Sequence, residues 1–215
     1  MQRNVGPGYG RTDVTAFALA LVVAGPAVAP PTDPSALLAA QHRQATAVRV
    51  LRPPRIDGRL DDAAWQNVPV LSDFVQRVPD EGRPASEPTE VRIAYDDRAI
   101  YLAFRCYDSH ASEIEPRLGR RDDAPESDWV EFAVDPFHDR RNSYFFLVNS
   151  GGVKTDGTLA DGGTEDYSWD GVWDAQTSID ARGWTAEIEI PLSTILEGIA
   201  RHANCHPDWL AVSRV

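Results

Sequence analysis

Thr89-Glu90-Val91-Arg92-Ile93-Ala94-Tyr95, then Asp96-Asp97-Arg98, then Ile100-Tyr101-Leu102-Ala103-Phe104-Arg105-Cys106-Tyr107: this stretch decides the fold class. Its first segment alternates, with Val91, Ile93 and Tyr95 on one face, the period of an extended strand. Asp96-Asp97-Arg98 is turn chemistry. The return segment sets Leu102, Phe104 and Cys106 against Tyr101, Ala103, Arg105 and Tyr107. A hairpin with both faces partly apolar belongs in the middle of a packed sheet.

The same pattern recurs on both sides of it. Trp129 to Val134 reads as a strand stopped by Pro136, and Ser143 to Val148 as another. Gly151-Gly152 turns the chain into Val153 to Thr158. Trp173 to Ile179 and Trp184 to Ile190 form a second hairpin around Asp180-Ala181-Arg182-Gly183. In its return strand Trp184, Ala186, Ile188 and Ile190 share one face, and Thr185, Glu187 and Glu189 share the other, where strand glutamates usually meet water. Pro191 ends that strand, and Ser193 to Ile199 fits one or two helical turns with Ser193 as N-cap. Trp209 to Val215 reads as a last strand. Many short antiparallel strands separated by turns imply an all-β protein, a jelly-roll-like antiparallel β-sandwich over residues 47–215. One more strand is expected just where the chain ends.

With 215 residues, 42% of them hydrophobic, the chain suits one globular domain. Its net charge of −12, from 33 acidic and 21 basic residues, argues against a nucleic-acid binder, which needs a basic face. Cys106 and Cys205 are too few for a cysteine framework, although a single disulfide is permitted after export. The apolar run Val14 to Ala24 is about half of the roughly 20 residues that a membrane-spanning helix requires. With Arg3 and Arg11 before it and small residues after it, residues 1–29 read as a secretory signal. Cleavage follows either Ala27-Val28-Ala29 or Ala27. The expected location is periplasmic or extracellular, with outer-membrane association allowed. Residues 30–46, rich in Pro and Ala, read as a linker.

Six tryptophans invite a sugar-binding reading, because flat aromatic faces stack on the C–H faces of pyranose rings. Trp184 belongs to the core, and Trp65 in Leu60-Asp61-Asp62-Ala63-Ala64-Trp65 pins a short helix to the sandwich. Tyr167, Trp169 and Trp173 lie in an acidic segment, Asp166-Tyr167-Ser168-Trp169-Asp170-Gly171-Val172-Trp173-Asp174, and are ligand candidates. Trp129, beside Asp128 at a strand start, can face either way. The carboxylates of the same loop, Asp161, Asp166 and Asp170, are weak candidates for Ca²⁺, although their spacing matches no EF-hand. Glu131 with Glu187 or Glu189 would be the pair for a glycoside hydrolase. No G-x-S-x-G, H-E-x-x-H or phosphate-cradling loop is present. His202 and His206 beside Cys205 form a weak metal pattern, Arg120-Arg121 and Arg140-Arg141 read as solvated loop charges, and Cys106 reads as a buried strand residue.

The ordered motifs Ile56-Asp57-Gly58-Arg59-Leu60-Asp61 with Trp65, Thr89-Glu90-Val91 with Tyr95-Asp96, Ile100-Tyr101-Leu102, Asp128-Trp129-Val130-Glu131, Tyr144 to Asn149 with Gly152, and Gly183-Trp184-Thr185-Ala186-Glu187 to Ile190-Pro191 resemble the family 9 carbohydrate-binding modules. They are similar above all to the family-9-like domain at the N-terminus of large bacterial outer-membrane β-barrel proteins. The resemblance spans Arg55 to Thr194. It implies a β-sandwich, export, and non-catalytic glycan binding of the kind that accompanies xylan or cellulose breakdown, with structural calcium in characterised modules. Of the family's sugar-contacting positions, Glu131 is matched. Pro125 stands near one stacking tryptophan's place and Leu147 where an arginine is expected, and the second stacking tryptophan's place lies past Val215. Glu131 is therefore expected to accept hydrogen bonds from sugar hydroxyls, with Trp129, Trp169, Tyr167 or Trp173 stacking. An accessory domain detached from a β-barrel partner, without a sugar ligand, is the alternative.

Overall fold

A computed structural model of the chain describes residues 45–76, 78–136, 139, 141–160, 163–199 and 210–214. In chain order the strands are β1 (Val48–Arg49), β2 (Thr89–Tyr95), β3 (Ala99–Tyr107), β4 (Trp129–Val134), β5 (Ser143–Asn149), β6 (Lys154–Ala160), β7 (Thr164–Asp166), β8 (Asp174–Asp180), β9 (Gly183–Pro191) and β10 (Leu210–Arg214). They form two five-stranded sheets, ordered β1-β2-β3-β9-β8 and β10-β4-β5-β6-β7. Among the described residues every strand pairing is antiparallel except β1 on β2. The helix α1 (Leu192–Ile199) follows β9 directly.

The alternation read from the sequence sets the register. Ile93 pairs with Leu102, Leu102 with Ile188, and Ile188 with Ala175, so a continuous apolar rung crosses the first sheet. Val130, Phe132 and Val134 with Phe146 and Val148 supply the facing surface. Each such side chain contributes about 1.5–3 kcal/mol on full burial. Trp184 and Cys106 are buried in this layer, as expected.

β3 is apolar on both faces because the segment before β2 covers the first sheet from outside. Trp65, in a 3-10 turn at Ala63–Trp65, packs with Val68 on Ala94, Ala99, Tyr101 and Ala103. Glu187 lies beneath the same cover, which corrects the expectation that the polar face of β9 meets water. Its Oε2 accepts from the backbone N–H groups of Asp57 at 3.0 Å and Gly58 at 2.9 Å, and its Oε1 accepts from Trp65 Nε1 at 2.8 Å. Gly58 sits at φ +79°, and a Cβ there would lie 2.8 Å from the backbone of Thr177, so only glycine fits this approach.

The helix begins one residue earlier than expected. Leu192 donates its N–H to the carbonyl of Arg98 at 2.7 Å, so a turn carbonyl receives the chain and Ser193 lies inside the helix. β1 and β7, two and three residues long, were not legible as strands. The signal and linker residues up to 44, together with His202, Cys205 and His206, lie outside the described residues.

Candidate functional site: the outer face of the second sheet

On β4, Val130, Phe132 and Val134 turn inward, so Glu131 and Ala133 turn outward. β5 sets Leu147 opposite Glu131 and Phe145 opposite Ala133. β6 sets Gly157 opposite Phe145, and a Cβ on Gly157 would lie 2.4 Å from the phenyl ring. The missing side chain lets the Phe145 ring lie across β6 toward Tyr167, which meets it edge-on at a centroid distance of 5.2 Å. Tyr167 is 41% exposed, and its hydroxyl donates to Glu165 Oε2 at 2.7 Å. The face thus has an apolar floor of Leu147 and Phe145, an exposed aromatic ring, and half-buried carboxylates in Glu131 and Glu165.

Of the other aromatic candidates, Trp169 and Trp173 turn inward, while Trp129 has the outward parity of Glu131 but its ring is covered. Trp173 is 4% exposed, with its ring 5.4 Å from Phe146 and the ammonium of Lys154 4.9 Å from its centroid. It is a core residue, because it leads straight into β8 and its ring enters between the sheets. Trp169 lies half-buried on the same inner side, 4.7 Å from Tyr144 and 5.9 Å from Phe146. Trp129 is buried, and its Nε1 donates to the carbonyl of Pro125 at 3.3 Å. The structure therefore brings Glu131 and Tyr167 to one face and keeps Trp169 and Trp173 off it.

The acidic loop already holds a cation of its own. Arg121 Nη2 lies 2.5 Å from Asp156 Oδ1, and its Nε lies 2.9 Å from Asp170 and 3.8 Å from Asp122. The same Nη2 donates to the carbonyl of Gly171 at 2.7 Å. Three carboxylates and a carbonyl thus surround one guanidinium, so Arg121 is not a solvated loop charge. Burial raises the Asp122 carboxyl above its ordinary range, with the neighbouring charges of Asp156 and Asp170 adding to it and Arg121 opposing. Burial, with the nearby Arg121 charge, lowers the Lys154 ammonium. Asp166 accepts from the N–H and the hydroxyl of Ser168, and the hydroxyl bond is the main cause holding its carboxyl below the usual range. Asp161 lies outside the described residues. The described residues of this loop do not fit Ca²⁺, since Asp170 is spent on Arg121 and Asp166 turns to Ser168.

Glu187 and Glu189 lie on the outer face of the first sheet and Glu131 on that of the second. Two carboxylates on opposite sides of a sandwich cannot flank one glycosidic bond, which corrects the hydrolase pairing.

Residues 56–206 match the family model described as carbohydrate family 9 binding domain-like. The chain belongs to that family. Among solved structures, this family-9-like module is similar to a family 9 carbohydrate-binding module from Caldicellulosiruptor kristjanssonii in complex with cellotriose, at 24% identity over 70% of this chain and 68% of that one, with TM-score 0.49. The same organism's module in complex with glucose is 23% identical over 70% of each chain, with TM-score 0.48. A Bacteroides uniformis protein described as carbohydrate-binding shares 18% identity over 70% of this chain and 73% of that one, with TM-score 0.55, and agrees in fold. No curated protein matches the module.

Phe145 and Gly157, which build the floor of the face, were missed from sequence. The usable signal was a glycine inside a strand pattern, which marks close approach of another group.

Proposed function

We propose that this module is an exported, non-catalytic carbohydrate binder whose ligand lies on the outer face of the second sheet. The observation that carries the reading is the meeting of Glu131, Leu147, Phe145 and the exposed Tyr167 on that one face. A pyranose presents apolar C–H faces and a rim of hydroxyls. Tyr167 receives the former by stacking, with the buried Phe145 supporting it from beneath, while Glu131 and Glu165 accept hydrogen bonds from the latter. The ligand class is a β-linked plant-type glycan such as cellulose or xylan. One exposed ring among the described residues of this face and Leu147 at the floor make the binding weak, with a Kd of about 1 mM, or roughly 4 kcal/mol.

Calorimetric titration with cellotriose and with xylotriose tests this. Saturable binding in the millimolar range is expected, weakened about tenfold by Tyr167→Ala. Absence of binding at millimolar sugar would overturn the reading and leave that of an accessory domain serving an outer-membrane β-barrel.

A further inference from the structure

At one end of the sandwich the start of β2 and the end of β3 lie side by side, joined by the Tyr107 N–H donating to the carbonyl of Pro88 at 2.9 Å. Glu87 precedes β2, and Asp108 and His110 follow β3. One donor atom from each of these three side chains lies within 4.8 Å of the other two. They line a solvent-open groove of about 620 Å³, whose wall also carries Glu126 and Asp128. This groove is separate from the face that holds Glu131 and Tyr167.

We propose that Glu87, Asp108 and His110 bind a divalent ion of the zinc class. One imidazole nitrogen and two carboxylate oxygens are a zinc donor set, whereas calcium takes six to eight oxygens. Zinc bonds of about 2.0–2.2 Å place tetrahedral donors about 3.4 Å apart, so modest side-chain rotation closes the observed spacing. His110 is exposed and has room for that rotation. Three protein donors leave the fourth position for water or a ligand atom from the groove.

The backbone that carries the donors is fixed. Asp108 donates its N–H to the carbonyl of Arg182 at 3.0 Å, and Gly183 lets the β8–β9 turn come this close, since a Cβ there would lie 2.1 Å from the carbonyl oxygen of Cys106. The His110 N–H donates to Asp108 Oδ1 at 2.6 Å. The Ser109 hydroxyl donates to Glu87 Oε1 at 2.5 Å and lies 3.0 Å from His110 Nδ1, holding two of the donors in orientation.

The test is titration of Zn²⁺ into the metal-free full-length chain, in competition with a chromogenic chelator. Uptake of about one ion per chain is expected at this site, with His110→Ala and Asp108→Asn each weakening it at least about tenfold. An unchanged urea midpoint of His110→Ala in chelator shows that the fold is intact. The proposal is overturned by absence of zinc uptake, by uptake indifferent to His110→Ala, or by displacement of the zinc with equimolar Ca²⁺.

Discussion

Arg121 Nη2 lies 2.5 Å from Asp156 Oδ1, a carboxylate with no exposed surface, while the other oxygen of Asp156 accepts from the Gly171 N–H at 2.6 Å. An arginine from the segment before β4 thereby ties the loop between β7 and β8 to the inner face of β6. Tyr167 and Trp169 lie on the chain between these anchors, so the pair fixes where the aromatic rings stand.

Arg121→Ala leaves Asp156 buried without its counter-charge. Removing one partner of a buried pair costs about 3–5 kcal/mol, and the partial exposure of Arg121 puts this case at about 3 kcal/mol. Urea denaturation measures the loss. The double variant Arg121→Met with Asp156→Asn should be more stable than Arg121→Met alone, because the fully buried charge is then gone and the carboxylates left, Asp122 and Asp170, reach solvent.

Trp65 and Glu187 make the corresponding tie on the other side of the sandwich. Trp65→Phe keeps the packing and removes the donor to Oε1, at an expected cost of about 1–3 kcal/mol. Burial raises the Glu187 carboxyl above its ordinary range, outweighing the bonds from Trp65, Asp57 and Gly58, and the Asp57 charge adds to the rise. Between the ordinary and the raised value the folded chain binds more protons than the unfolded one. The resulting stability is fully present below the ordinary glutamate value of about 4.3 and is lost as pH rises through the higher folded value. Glu187→Gln should remove this slope in denaturation midpoints across the weakly acidic range.

Gly157→Ala puts a methyl group 2.4 Å from the Phe145 ring and 2.6 Å from the carbonyl oxygen of Asp166. Overpacking of this kind costs about 1–3 kcal/mol. The displaced ring no longer supports Tyr167, so the thermal midpoint should fall and the tyrosine band in the near-ultraviolet circular dichroism should change together.

Alternation made the two central hairpins legible, because Val91, Ile93, Leu102, Phe104, Ile188 and Ile190 each face the core that their spacing implies. The same rule failed at Glu187. Its neighbours along β9 say only that it lies opposite the apolar residues, while its cover comes from Asp57, Gly58 and Trp65, distant in sequence. The acids around Trp173 suit an exposed ligand contact as well as a strand start, yet its ring packs against Phe146. Arg121 gave no sign of its role, since the carboxylates it joins lie on β6 and beyond β7. Glu131 and Tyr167 were legible singly. Their shared face depends on the order β4-β5-β6-β7, which no local pattern encodes.

The most direct measurement is a titration of the ¹⁵N-labelled chain with cellotriose and xylotriose, followed by amide chemical shifts. Saturable shifts at Glu131, Leu147 and Phe145 on β4 and β5 and at Tyr167 just after β7, and their loss in Glu131→Ala, are the expected result. Shifts confined to the inner residues around Trp169 and Trp173, or no shifts at millimolar sugar, would contradict it.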